Sequence, residues 1–196
     1  MKYRCIVADP PWPQKLVGKF KRHSGPDKLP YSVMTISEIA SMTVSDLAEE
    51  AAHLWLWTTN SHLRDAFAVM EAWGFRYLNT VTWVKPSGLG AWFANTTQHV
   101  LFGYMERCEF PLARWRPTHF NATPLKHSQK PEEFYNLARS ISPGPRLDLF
   151  NRRVIEGFDG WGDQSPNSTQ LDPDPRLLGK FEVNTETQQA DATGVK

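Results

Sequence analysis

The chain has 196 residues, 40% of them hydrophobic and 22% charged, with a net charge of +1, which suits one soluble globular domain with a sizeable core. No apolar run approaches the ~20 residues that cross a bilayer, and the amino-terminal apolar stretch is too short for a signal peptide, so a cytoplasmic protein with no membrane contact is expected. Two cysteines, Cys5 and Cys108, stand in no CxxC or Cys/His cluster, which argues against a disulfide scaffold and a metal site.

In chain order, "YRCIVA" (3–8) reads as a buried strand stopped by an acid and two prolines. A helix is predicted over 37–49, with Ile39, Met42 and Leu47 inward. "AHLWLWT" (52–58) is a second strand. A helix capped by Ser61 follows, with Leu63, Ala66, Phe67, Met70 and Trp73 on one face and Gly74 at its end. Strands are predicted at 79–84 and 99–104. A third helix starts at Pro131 and runs through Phe134, Leu137 and Ala138 to Ile141, where "SPGP" stops it. "RLDLF" (146–150) is a further strand. This alternation predicts an α/β fold, a mostly parallel sheet with helices on both faces, whose ligands lie at the carboxyl ends of the strands.

Two long loops, 86–98 and 105–130, break the alternation. After residue 164 the chain turns polar and proline-rich. A domain over 1–164 and a flexible tail over 165–196 are expected. Charge is uneven. Lys15, Lys19, Lys21, Arg22 and Lys28 face one acid between residues 15 and 28. Arg114, Arg116, Lys126 and Lys130 face none between 114 and 130. Such stretches suit phosphate, although solvated loops look the same. Trp92, Phe93, Trp115 and Phe120 interleave with them and suit base stacking or burial under their own loops.

"DPPW" (9–12) invites a chemical reading beyond a turn. The exocyclic amine of a nucleobase is a poor nucleophile because its lone pair is delocalised into the ring. The Asp9 carboxylate and the Pro10 carbonyl, both acceptors, can hold its two hydrogens and turn the nitrogen toward tetrahedral geometry. Pro10 and Pro11 stiffen the loop, and Trp12 offers a ring to an unstacked base. Attack on an activated methyl group follows, with no covalent enzyme intermediate. Methylation at cytosine carbon 5 is disfavoured, since it needs a Pro-Cys nucleophile and neither cysteine follows a proline.

"DPPW" resembles the (D/N/S)PP(Y/F/W) motif of S-adenosylmethionine-dependent amino-methyltransferases. More closely, the chain resembles the family named for the seventy-kilodalton subunit of mRNA adenosine methyltransferase. The resemblance runs in order through "ADPPW" (8–12), "LPYSVMT" (29–35), "HLWLWTT" (53–59), "WGFRYLNTVTWVK" (73–85), "HSQKPEEFY" (127–135), "SPGPRLDLFNRR" (142–153) and "GWGDQ" (160–164). It implies a Rossmann-like methyltransferase fold in the permuted order, with the cofactor segment after the catalytic motif. Only eight residues precede Asp9, too few for a cofactor half-domain in front.

The resemblance implies S-adenosyl-L-methionine as cofactor, held by Asp9, Lys130, Asp148, Leu149, Phe150, Asn151, Arg152, Asp163 and Gln164. Arg152 is expected at the ribose hydroxyls or the methionine carboxylate, and Lys130 at that carboxylate. Asn151 stands where the family has glycine, and a left-handed turn is expected there. Asp163 stands where Asn is usual. Asp148 could equally pair within the fold, and Lys130 could be a solvated lysine. An upstream segment that helps hold the cofactor adenine in longer members is expected to be missing.

Asp at the first motif position points by family analogy to adenine N6. Lys15, Lys19, Lys21, Arg22, Tyr31, Arg114, Arg116 and Lys126 are the expected nucleic-acid contacts. A compact member without zinc fingers resembles the bacterial and phage proteins, so DNA is favoured as substrate over RNA. A homodimer is compatible with this class. The competing reading is a catalytically dead scaffold, disfavoured because Asp9, Trp12, Lys130 and Arg152 are all present.

Overall fold

The computed structural model describes residues 1–13, 33–90, 92–107, 110, 115–125, 129–172 and 174–176. Among these, seven strands form one sheet: β1 (Tyr3–Ala8), β2 (Ala48–Thr58), β3 (Arg76–Val84), β4 (Thr97–Tyr104), β5 (His119–Asn121), β6 (Arg146–Leu149) and β7 (Asp159–Trp161). Their spatial order is β5-β3-β4-β2-β1-β6-β7. β1 runs parallel to β2 and β6, β6 to β7 and β3 to β5, while β4 runs against β2 and β3. The mostly parallel sheet of the sequence reading is what forms.

Side-chain alternation splits the core into two layers. Leu54 and Leu56 of β2 and Leu147 and Leu149 of β6 face one layer, which α1 (Ile36–Ala40) and α2 (Leu63–Ala72) close with Ile39, Ala66, Val69 and Met70. Trp55 and Trp57 face the other, closed by Phe134, Tyr135 and Ala138 of α3 (Glu132–Ile141). Helices therefore cover both faces, and β1 and β2, buried on both sides, read as continuous apolar runs for that reason. No helix among the described residues is long and apolar enough to cross a membrane.

Several local expectations change. The helix over 37–49 is three pieces: α1, a 3-10 turn at Val44–Leu47, and the start of β2. A capping box between Thr35 and Glu38 starts α1 one residue early. The Ala/Glu run from 48, a good helix former, is captured by pairing of β2 with β1, a tertiary override of propensity. Ile39, Met42 and Leu47 are buried as expected. Ser61 does not cap α2. It lies in a 3-10 turn at Asn60–His62, and His62 precedes the helix. Phe67 is 40% exposed and packs edge-on against Tyr77, while Val69 takes the inward place. Gly74 ends the helix region at φ +79, which a side chain would disfavour. The loop expected over 105–130 contains β5.

The expected boundary at 164 does not coincide with the end of packing. Leu171 joins the first core layer, Thr169 donates to the Gly160 carbonyl at 2.7 Å, and Thr43 donates to that of Pro175 at 3.0 Å. The rest of the expected tail, from 177, lies outside the described residues.

Candidate active site

The carboxyl ends of β1, β2, β6 and β7 converge where β1 meets neighbours on both sides, the place an α/β sheet offers for ligands. Asp9 follows β1 directly, and its backbone N–H donates to the Leu149 carbonyl at 3.3 Å. Its carboxylate lies 3.0 Å from Lys130 Nζ, with both side chains largely buried. Lys130 also donates to Gln98 Oε1 at 3.3 Å and sits 4.5 Å over the Trp57 ring. Two residues 121 positions apart in sequence thus form one partly desolvated charge pair at the amino end of α3, whose mutual attraction is less screened than that of a surface pair.

Two cavities meet at Asp9. One, of about 440 Å³, is lined by Pro11, Met34, Phe150, Arg152, Trp161, Gly162, Asp163, Gln164 and Arg176 besides Asp9. The other, of about 680 Å³, runs from Pro10–Pro13 over Thr59–His62 to Lys85, Asn95, Gln98 and Lys130. Asp9, Pro11 and Arg152 belong to both walls.

Local sequence explains the smaller cavity. β6 ends at Leu149, and Phe150 turns the chain with a left-handed φ of 65. Its N–H donates to the Trp161 carbonyl at 2.6 Å. Gly162 opposite has φ +140, and a Cβ there would lie 2.9 Å from Phe150 Cα. The turn and β7 can approach only because that position is glycine. The left-handed residue expected at Asn151 is therefore Phe150. Asn151 is buried instead, its side-chain amide donating to the Arg153 carbonyl at 3.0 Å.

Asp148 and Leu149, expected among the cofactor contacts, face the protein interior. Strand alternation sends Leu149 into the first core layer and Asp148 under α3, where the Tyr135 hydroxyl donates to it at 2.8 Å. Burial pushes the Asp148 carboxyl up to about 7. The nearby Asp9 charge adds to this, while the Tyr135 hydrogen bond and the Arg153 and Lys130 charges oppose it. Lys130 opens on the larger cavity rather than the smaller. Phe150, Arg152, Asp163 and Gln164 line the smaller one, as Asp9 does.

Trp12 is only 7% exposed. Its indole N–H donates to the Trp57 carbonyl at 2.9 Å, and one ring face stacks on His62 at 5.7 Å and 12°. It is a fixed wall of the larger cavity, so a base can meet only what His62 leaves uncovered. The Pro10 carbonyl already accepts the Trp12 N–H at 2.8 Å, leaving its second lone pair for a ligand. His62 approaches the Pro13 carbonyl at 2.6 Å and Asp65 at 2.9 Å. It ties the loop after β1 to the start of α2, and the sequence reading missed it. Its signal was position, since "TTNSH" follows a central strand directly.

Trp92, Phe93 and Trp115 are almost fully exposed, whereas Phe120 packs against Trp57, Trp83 and Phe134. Arg116 is exposed. Lys15, Lys19, Lys21, Arg22, Tyr31, Arg114 and Lys126 lie outside the described residues. No cluster of metal-ligating side chains occurs among the described residues.

The MT-A70 family profile matches residues 3–164. The human N(6)-adenosine-methyltransferase catalytic subunit METTL3 is 26% identical over 194 residues, covering 88% of this chain and 30% of its own length. A putative MT-A70-like N(6)-adenosine-methyltransferase of Medicago truncatula is 28% identical over 171 residues, covering 82% and 25%. The type II methyltransferase M.MunI of Mycoplasma sp is 24% identical over 190 residues, covering 85% and 79%. The chain therefore spans less than a third of METTL3 and most of M.MunI.

Proposed function

This chain belongs to the MT-A70 family, and from that premise we propose that it transfers a methyl group to the exocyclic N6 of adenine in DNA. S-Adenosylmethionine is the methyl donor of MT-A70 methyltransferases and, when bound, supplies an electrophilic methyl group. The smaller cavity suits it in volume and chemistry. Phe150, Trp161 and Met34 offer apolar and aromatic surface to a purine and a sulfonium centre. Asp163 and Gln164 offer acceptors to ribose hydroxyls, and Arg152 offers a cation to a carboxylate.

One observation carries the proposal: Asp9 stands in the wall common to both cavities. A group there can act on an acceptor entering from the larger cavity while its partner molecule fills the smaller. Asp9 accepts one hydrogen of the adenine amine, and the free lone pair of the Pro10 carbonyl accepts the other. With both hydrogens held, the nitrogen lone pair is freed toward the cofactor side; with S-adenosylmethionine bound, its S–CH3 bond would break as the N–C bond forms, S-adenosylhomocysteine would leave, and the Asp9 carboxylate would take the released amine proton. Lys130 keeps that carboxylate oriented while the site is empty of acceptor.

The larger cavity is recessed, so an adenine within a duplex must leave its stack to enter. Exposed Trp92 and Phe93, on the loop that also brings Lys85 and Asn95 to the rim, can fill the gap it leaves. DNA is preferred because the type II methyltransferase is matched over most of its length. RNA is the second reading, favoured by the likeness to METTL3. Incubation with labelled S-adenosylmethionine and matched DNA and RNA, each single- and double-stranded, tests both. N6-methyldeoxyadenosine is the expected product. Riboadenosine product alone moves the function to RNA, and cofactor binding without product from any of the four contradicts the catalytic reading.

A further inference from the structure

We propose that Arg176, which ends a stretch polar enough to read as a tail, completes the wall of the cofactor cavity and positions Asp163 for the sugar hydroxyls of the bound nucleoside. The inference rests on reading the smaller cavity as the S-adenosylmethionine site.

The segment is fastened at three points before it reaches the cavity. Ser168 bridges to Gly160 of β7, Leu171 is buried in the core, and the Pro175 carbonyl is held by the Thr43 N–H. Arg176 then arrives already oriented. Asp174 accepts from its backbone N–H at 2.9 Å, its Nε at 3.1 Å and its Nη2 at 2.8 Å. This grip sets the plane of the guanidinium, which lies 4.8 Å from the Trp161 ring centroid. The remaining Nη1 reaches Asp163 Oδ1 at 3.2 Å.

Stability does not account for this arrangement. The Asp163 side chain is 83% exposed and that of Arg176 54%, and exposed pairs contribute little to folding. Ligand binding does account for it. Asp163 at the cavity rim would be a free rotor without Arg176, and ordering it on binding would cost affinity. A carboxylate is acceptor-only and matches a vicinal diol, whereas a guanidinium is donor-only and cannot take the same hydrogens. Arg176 therefore fixes the acceptor without competing with it, and its rigid planar fork holds the two carboxylates in fixed directions, which the rotatable donors of a lysine do not.

Calorimetric titration with S-adenosylhomocysteine tests this on the full chain. R176A is expected to weaken binding about tenfold, and D174N, which loosens the grip while keeping the arginine, by a smaller factor. In a D163A background the R176A change should have under about a twofold effect, because the acceptor it positions is gone. Unfolding midpoints of all variants should stay within about 2 °C of the parent, as befits exposed pairs. Equal or tighter binding by R176A overturns the proposal, as does an undiminished R176A effect on D163A. Failure of the unaltered protein to bind the ligand overturns the cofactor reading itself, before any variant is compared.

Discussion

The two cavities on either side of Asp9 are made of different materials. The smaller is moulded by adjacent turns after β1, β6 and β7, tied by the Asp9–Leu149 and Phe150–Trp161 backbone hydrogen bonds, with aromatic walls. The larger sets polar side chains, Asn60, His62, Lys85, Asn95, Gln98 and Lys130, beside the prolines after β1, and Lys85 and Asn95 come from the loop joining β3 to β4. Close backbone ties preserve a fixed shape, which suits one small molecule. Polar side chains on connecting loops adapt to a base delivered by a larger chain. The difference teaches that, on the proposed function, the two ligands occupy separable parts joined through Asp9, Pro11 and Arg152.

Substitutions should separate them. D9A touches both walls and should have the largest effect, a loss of turnover of about a hundred- to a thousandfold, as for removal of a transition-state hydrogen-bonding group. Binding of S-adenosylhomocysteine should change only a few-fold, as read by calorimetry beside single-turnover methylation. A D9A protein that still turns over would end the acceptor role. K130A sharpens the boundary, because Lys130 lines the acceptor cavity while the family likeness gives it to the cofactor carboxylate. The nucleic-acid KM is expected to rise about tenfold, the scale of a charge-assisted hydrogen bond, with the cofactor Kd within about twofold. A loss of cofactor affinity of about tenfold would instead assign Lys130 to the cofactor carboxylate.

H62A should act on one cavity alone. Losing the ties to Pro13 and Asp65 and the stack on Trp12 should lower kcat/KM for nucleic acid several-fold to about tenfold. The cofactor Kd should be unaffected, and a cofactor defect of equal size would mean that the cavities are not separable. D148N should give the smallest functional effect and a distinctive pH response. Folded Asp148 keeps its proton up to about pH 7, whereas the unfolded carboxyl releases it near its ordinary value of 3.8. Stability from this group is therefore complete below about pH 4 and lost as pH rises to about 7. The asparagine variant should gain on the parent between pH 5 and pH 8 in thermal unfolding, and parallel curves would refute the buried-acid assignment.

Much of this was legible in local sequence. The apolar runs at 3–8 and 52–58, the stop at Asp9-Pro10-Pro11, the glycine at 74 and the helix after Pro131 all reflect short-range rules of periodicity and termination. The ends of β6 and of the domain were less legible. Alternation along "RLDLF" determines that Asp148 and Leu149 point to opposite faces. Which face borders a ligand depends on what covers it, and α3 and the first core layer cover both. Polar composition after 164 suggested a tail because a few anchors, Leu171 and Pro175, suffice to hold a segment whose other side chains meet water.

The sequence by itself determined the chemistry on offer: an acid and two prolines ending a buried strand, a lysine before a helix, and an arginine and glutamine after later strands. Tertiary structure alone decided which of these meet. Asp9 and Lys130 come within 3.0 Å, His62 stacks on Trp12, and Arg176 returns to Trp161 and Asp163. Those contacts join residues far apart in the chain, and no periodicity encodes them. They exist because the order of strands in the sheet brings the carboxyl ends of β1, β2, β6 and β7 to one rim.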